Sequence, residues 1–143
     1  MTQEAEISAI IDAHKGLEGP MLPILNDIQA AFGHVSEDAI RQIAQALNIT
    51  RAEVHGVVSF YHDYRKTPAK LPVIKVCMAE ACQARGVERL AKNAESAAQN
   101  RAEIETVYCL GLCSAGPAAL VGEEVYARLD DDKMAALIAK VAS

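Results

Sequence analysis

Residues 75–86 read KVCMAEACQARG, and the parsing of this stretch decides the fold of the second half of the chain. It begins inside an apolar run, VIKVC (73–77), whose β-branched residues suit a buried strand. The run ends on Cys77, Cys82 follows, and Val87, Leu90, Ala91 and Ala94 then recur at helical spacing. A buried strand that ends on one thiol and leads into a helix through another has four explanations. They are a disulfide, a redox dithiol, half of a metal site, and two unrelated core cysteines.

Downstream, EIETVYC (103–109) reads as a second strand, again ending on a cysteine. AALV (118–121) and VYARL (125–129) form a hairpin across Gly122-Glu123, a Gly-first turn. Asp130, Asp131 and Asp132 place negative charge at the start of a last helix, whose buried stripe is Met134, Leu137, Ile138 and Val141. The order strand, helix, strand, strand, strand, helix predicts a right-handed parallel unit extended by an antiparallel hairpin. That is a thioredoxin-like α/β domain with a four-stranded mixed sheet, spanning 67–143.

Upstream, KTPAKLP (66–72) has the prolines of an extended linker, and residues 1–66 read as helical throughout. Ile7, Ile10, Ile11 and His14 mark one helix. Pro23 sits in the first turn of a second, which carries Leu25, Ile28 and Phe32 and stops at Gly33. Ser36 caps a third, with Ile40, Ile43, Ala44 and Leu47 as its stripe. Thr50 and Glu53 form a capping box for a fourth that runs through VHGVVSFYHDY to Tyr64. The class is therefore α+β, an N-terminal helical bundle segment followed by the α/β domain. The helical half is the candidate docking element; Phe60 and Tyr61 near its end either bury a partner or pack the two halves together.

The cysteines number four, Cys77, Cys82, Cys109 and Cys113, with four, 26 and three residues between successive members. Both pairs begin at the C-terminal end of a strand. If those strands are parallel neighbours, about 4.8 Å apart, the sulfurs emerge at one sheet edge and converge on one small object. The amino terminus lacks the basic start and apolar block of a secretory signal, which points to a cytoplasmic chain and disfavours disulfides. A thioredoxin-type dithiol has two intervening residues, not four or three. Zinc held by four thiolates and an iron–sulfur cluster both remain. The wider loops favour the cluster, since two irons share the ligands. Gly86, Gly111 and Gly116 let backbone N–H groups approach sulfur, and a helix dipole after Cys82 favours the added charge of a reduced cluster.

Composition excludes several functions. The 143 residues are 51% hydrophobic, enough for a packed core. Net charge is −5 without a basic cluster, and Trp is absent with aromatics at 4%, so neither a phosphate-binding face nor a base-stacking platform is present. No apolar run has the length to cross a bilayer, so no direct membrane contact is expected. There is no Gly-rich phosphate loop. The histidines, His14, His34, His55 and His62, fall at helix ends and surfaces, and the four cysteines already complete a ligand set without them.

VCMAEACQARG together with VYCLGLCSAGPAALVGEEVYARL resembles the thioredoxin-like [2Fe–2S] ferredoxin family, which includes the small peripheral subunit of NADH:quinone oxidoreductase. ILNDIQAAFGHVSEDAIRQIAQALNITRAEVHGVVSFYHDY is similar to that subunit's helical segment, so the resemblance covers most of the chain. It implies that Cys77, Cys82, Cys109 and Cys113 ligate one [2Fe–2S] cluster. Within the family, the short length and the wording VHGVVSFYHDYR look most like the gamma subunit of NAD-dependent, molybdenum-containing formate dehydrogenases. That branch implies an electron carrier without a catalytic site of its own. FMN and NAD would sit on a flavoprotein partner and the molybdenum cofactor on a catalytic partner. The alternatives are the equivalent subunit of respiratory NADH:quinone oxidoreductase or of an NAD-linked hydrogenase, and a zinc-stabilised scaffold subunit. Thioredoxin-like folds often carry a cis-proline, for which Pro117 is the candidate, though sequence does not decide the isomer.

Overall fold

The computed structural model describes residues 2–143. The chain forms two compact units, one ending at Ala69 and the other Lys70–Ser143.

The first unit is helical: α1 (Gln3–His14), α2 (Met21–Phe32), α3 (Glu37–Leu47) and α4 (Arg51–Phe60). Its ends are set by local chemistry. Ser36 Oγ accepts from the Ala39 N–H at 3.1 Å, and Gly33 closes α2 at φ 71°, the left-handed conformation glycine adopts without penalty. The capping box forms: Glu53 N–H donates to Thr50 Oγ1 (3.2 Å) while the Thr50 N–H donates to Glu53 Oε2 (2.8 Å). One face of each helix meets in a core of Ile7, Ile11, Ile24, Ile28, Ile40, Ile43 and Val54, all essentially inaccessible.

The fourth helix stops at Phe60, four residues before the end read from the sequence. Ser59 Oγ donates to the carbonyls of His55 (2.7 Å) and Gly56 (3.2 Å), which weakens the helical ladder. The next residues are recruited elsewhere: Tyr64 Oη donates to Asn26 Oδ1 (2.7 Å) and the Val35 N–H to the Arg65 carbonyl (2.7 Å). Tyr61 stacks edge-on with both Phe60 and Tyr64. Phe60 itself is 73% exposed.

The second unit has a four-stranded sheet in the order β2-β1-β3-β4, with β1 Val73–Cys77, β2 Glu103–Val107, β3 Ala119–Val121 and β4 Glu124–Tyr126. β1 pairs parallel with β2 and antiparallel with β3, so the mixed sheet is as expected. Its helices are α5 (Glu80–Ala84), α6 (Val87–Ala98) and α7 (Asp131–Ala142). Register puts Ile74 beside Ile104, and Val76 beside Thr106 and Ala119, on one face. Ile74, Val76 and Ala119 are buried in a core with Val87 and Leu90 of α6 and Met134, Leu137 and Ile138 of α7. Asp130 caps α7, its carboxylate accepting from the Lys133 N–H at 2.8 Å.

Three boundaries differ from the sequence reading. β2 ends at Val107, leaving Tyr108 and Cys109 in a loop. β4 ends at Tyr126, because the Arg128 and Leu129 N–H groups turn to the carbonyls of Ala115 (2.7 Å) and Pro117 (3.0 Å). The expected helix follows Cys82 as α6, but Cys82 itself lies in the first turn of the five-residue α5, and Gly86 at φ 84° separates that turn from α6. No long-helix dipole starts at Cys82.

Candidate metal centre

Cys77 is the last residue of the central strand, its N–H bonded to the Ala118 carbonyl at 2.9 Å. Its register partner is Val107, and Cys109 follows two residues later. Both cysteine pairs therefore leave the same end of two parallel neighbours. Cys82 hangs from α5 directly after β1, and Cys113 opens a single 3₁₀ turn, Cys113–Ala115. All four are free thiols.

The sulfurs fall into two unlike pairs. Cys77 and Cys82 are buried, at 3% and 2% exposure, whereas Cys109 and Cys113 are exposed. Cys109 Sγ and Cys113 Sγ stand 3.6 Å apart. A disulfide requires about 2.05 Å. Two thiolates on one tetrahedral metal, with bonds of about 2.3 Å, sit about 3.8 Å apart. The spacing fits the second arrangement. Among the described residues no three Cys, His, Asp or Glu side chains gather around a single ion position.

The backbone supplies hydrogen bonds to sulfur. Burial pushes the Cys77 thiol up, but the N–H groups of Ala79, Cys109 and Leu110, with a bond from Cys82, outweigh it and hold Cys77 below the ordinary thiol range. Cys109 adopts φ 69°, left-handed and uncommon outside glycine and asparagine. In this turn the successive N–H groups of Cys109 and Leu110 cradle the Cys77 sulfur, as anion-binding turns do. Cys82 is pushed up by burial; the Ala118 N–H opposes this, and the thiols of Cys77 and Cys113 add to it. Cys113 is raised first by its hydrogen bond with Cys109 and then by the charge of that thiol.

Of the glycines expected to let backbone approach sulfur, only Gly116 does. A β-carbon there would stand 2.9 Å from Cys82 Sγ, whereas at Gly86 and Gly111 it would meet nothing within 4 Å. Those two serve turns, at φ 84° and 75°. The N–H donors that reach sulfur belong to Ala79, Cys109, Leu110 and Ala118, which no sequence signal marks. Nor does any signal mark Arg85, as a basic residue at a helix end is common on any surface. The Gly116-Pro117 bond is cis.

All four histidines belong to the first unit. His14 Nε2 pairs with the Asp27 carboxylate, His55 Nε2 with Glu37 (3.0 Å), and His34 Nδ1 with the Phe32 carbonyl (3.0 Å), the helix-surface roles expected of them.

Two pairs of thiols beside the ends of parallel strands, approached by loop N–H groups on a four-stranded mixed sheet, form a candidate thiolate site for a metal or cluster. The sequence profile of the thioredoxin-like [2Fe–2S] ferredoxin family matches residues 7–142, and the chain belongs to that family. Among its relatives is the NADP-reducing hydrogenase subunit HndA of Solidesulfovibrio fructosivorans, 26% identical over 144 aligned residues that cover 94% of this chain and 84% of that protein. A subunit of the NADH-quinone oxidoreductase of Buchnera aphidicola (subsp. Acyrthosiphon pisum) is 29% identical over 145 residues, 93% of this chain and 90% of that one. In three dimensions the chain superposes on an NAD+-reducing [NiFe]-hydrogenase in the H2-reduced state with a TM-score of 0.69 and 25% identity. That match covers 82% of this chain and 22% of the hydrogenase chain.

Proposed function

We propose that this protein is the [2Fe–2S] electron-transfer subunit of a flavin-linked oxidoreductase complex, with Cys77, Cys82, Cys109 and Cys113 as the cluster ligands. The observation that carries the ligand assignment is that both cysteine pairs leave the same end of two parallel strands, with the sulfurs of Cys109 and Cys113 3.6 Å apart. When bound, a [2Fe–2S] cluster accepts and releases one electron at a time. The protein's own residues hold it. Cys77 and Cys82 anchor its buried side, the N–H groups of Ala79, Cys109, Leu110 and Ala118 balance thiolate charge, and Cys109 and Cys113 present its accessible edge. No general acid, base or nucleophile is required.

The relatives support an NADH:quinone oxidoreductase or NAD(P)-reducing hydrogenase context better than the formate dehydrogenase reading. We therefore assign the chain to a complex of the former kind, beside a flavoprotein subunit bearing FMN and binding the nicotinamide nucleotide. The formate dehydrogenase branch, with its molybdenum-bearing partner, rests on the resemblance alone, in the short length and the wording VHGVVSFYHDYR. The proposal includes a cytoplasmic location; among the described residues no helix is long and apolar enough to cross a membrane.

The test is anaerobic purification with iron and sulfide analysis, followed by visible and EPR spectra before and after dithionite. Visible absorption and a rhombic S = 1/2 signal on reduction support the proposal. Colourless protein with stoichiometric zinc, unchanged by reconstitution with iron and sulfide, refutes it in favour of the scaffold reading. Co-purification from the native host then separates the complexes by which activity follows the chain.

A further inference from the structure

Arg85 closes α5, the turn that carries Cys82, and its backbone N–H bonds to the Cys82 carbonyl at 3.1 Å. Its guanidinium Nη1 donates to the carbonyl oxygens of Ser114 (3.1 Å) and Gly116 (3.3 Å). Ser114 lies in the 3₁₀ turn that begins at Cys113, and Gly116 is the residue after that turn. One side chain thus joins the element bearing Cys82 to the element bearing Cys113, across 31 positions of sequence. Its stem joins the same packing: the β-carbon position at Gly116 is 2.9 Å from Cys82 Sγ and 3.7 Å from Arg85 Cδ.

Two physical consequences follow. Both bonds come from one nitrogen, whose N–H directions the planar guanidinium fixes, whereas a lysine ammonium carries rotatable donors on a flexible stem. The guanidinium also occupies the negative ends of two carbonyl dipoles next to thiolates, and adds a full positive charge where reduction adds an electron. Solvent exposure of Arg85 screens that charge without removing it.

We propose that Arg85 is a positioning residue of the cluster site. It fixes the Cys113–Gly116 turn against Cys82, and its charge favours the reduced cluster, raising the reduction potential. This rests on the functional reading above. The test compares the full-length wild type, Arg85→Lys and Arg85→Met after anaerobic reconstitution, by EPR at poised potentials and by iron release to a chelator. Arg85→Met is expected to shift the midpoint to lower potential and to release iron about tenfold faster, equivalent to about 1.4 kcal/mol. Arg85→Lys is expected to release iron faster than wild type, yet to keep a midpoint closer to wild type, because it retains the charge on a flexible stem that holds the turn less firmly. A wild-type midpoint in Arg85→Met overturns the proposal, and so does an equal shift in both variants. If Arg85→Met does not load, Arg85→Gln takes its place, and a midpoint at or above that of Arg85→Lys overturns the charge argument. Absence of a [2Fe–2S] signal from the wild type defeats the functional reading itself, and this inference with it; normal wild-type signals with unmoved variants defeat this inference alone.

Discussion

Gly116→Ala probes the metal centre at its tightest point. The residue has φ −71° and ψ 167°, extended backbone that any L-residue adopts and that a residue before proline favours. The substitution therefore carries no conformational penalty of its own, and its effect comes from the added methyl. That carbon would lie 2.9 Å from Cys82 Sγ and 3.6 Å from Cys82 Cα, whereas carbon contacts settle near 3.5–4.0 Å. Cys82 is 2% exposed, so its sulfur has no solvent into which to swing. Overpacking of this kind costs about 1–3 kcal/mol. If the displaced sulfur is a ligand, the cost falls on the holo state and weakens cluster retention about 5- to 150-fold. The assay is iron release to a chelator, with iron content and the EPR spectrum of the reduced protein as structural readouts. Gly122→Ala is the control. It sits in the hairpin turn at φ 59° with nothing within 4 Å of the new carbon, so it lowers the melting temperature without changing release. A Gly116→Ala protein that loads fully, releases iron at the wild-type rate and keeps the wild-type spectrum would refute the placement of Cys82 as a ligand against this glycine.

Thr50→Ala removes the acceptor for the Glu53 N–H and is expected to cost about 1 kcal/mol in thermal unfolding; no loss would show the cap to be redundant. The Glu53 carboxyl is held below its usual range first by the Thr50 N–H and then by the Thr50 hydroxyl. Because the folded state lowers this pKa, the stabilisation is present above the unfolded value, near 4.5, and is lost as pH falls through the folded one. The stability difference between wild type and Glu53→Gln is thus constant near neutrality and shrinks below about pH 4.5; a difference independent of pH counts against the capping interaction. Phe60→Ser, at a ring 73% exposed, is expected to change unfolding free energy by no more than about 0.5 kcal/mol. A larger loss would mean that the ring packs inside the protein.

The elements governed by local rules are legible in the sequence. Ser36, the Thr50–Glu53 box, Asp130 and Gly33 each satisfy or end a helix within four residues of sequence, and the Gly122-Glu123 turn needs only its glycine. The β-branched run 73–77 and the stripes of α6 and α7 mark the sheet and the helices that cover it. What escapes a reading of sequence depends on distant partners. α4 ends early where Tyr64 and Arg65 are claimed by Asn26, Gln29 and Val35. β4 ends early because the next N–H groups are claimed by Ala115 and Pro117. At the candidate metal centre, cysteine spacing picks out the four thiols that leave the same end of β1 and β2. It carries no trace of the left-handed turn at Cys109, since that conformation is unusual for a cysteine and is held by the loop around it.

The unequal burial of the two thiol pairs follows from how each is held. Cys77 and Cys82 belong to β1 and α5, elements fixed by the apolar core, and their sulfurs are enclosed whatever occupies the site. Cys109 and Cys113 belong to the loop between β2 and β3, where Leu110 and Leu112 pack against the core only partly buried and polar ties add to them: the Ala115 N–H to the Leu112 carbonyl at 2.9 Å, and the Arg85 guanidinium to Ser114 and Gly116. The core therefore encloses one pair of thiols, and partial packing with a small number of hydrogen bonds holds the other. Under the proposed function this division is useful. The enclosed half keeps water from the metal-bound thiolates, and low dielectric there strengthens every N–H bond to sulfur. The exposed half, flanked by a 76% exposed Tyr108, would hold the accessible side of a bound cluster, where a partner could exchange electrons with it. A site enclosed on all sides would lengthen the path of that exchange, and one held wholly by loops would not keep its four sulfurs in register.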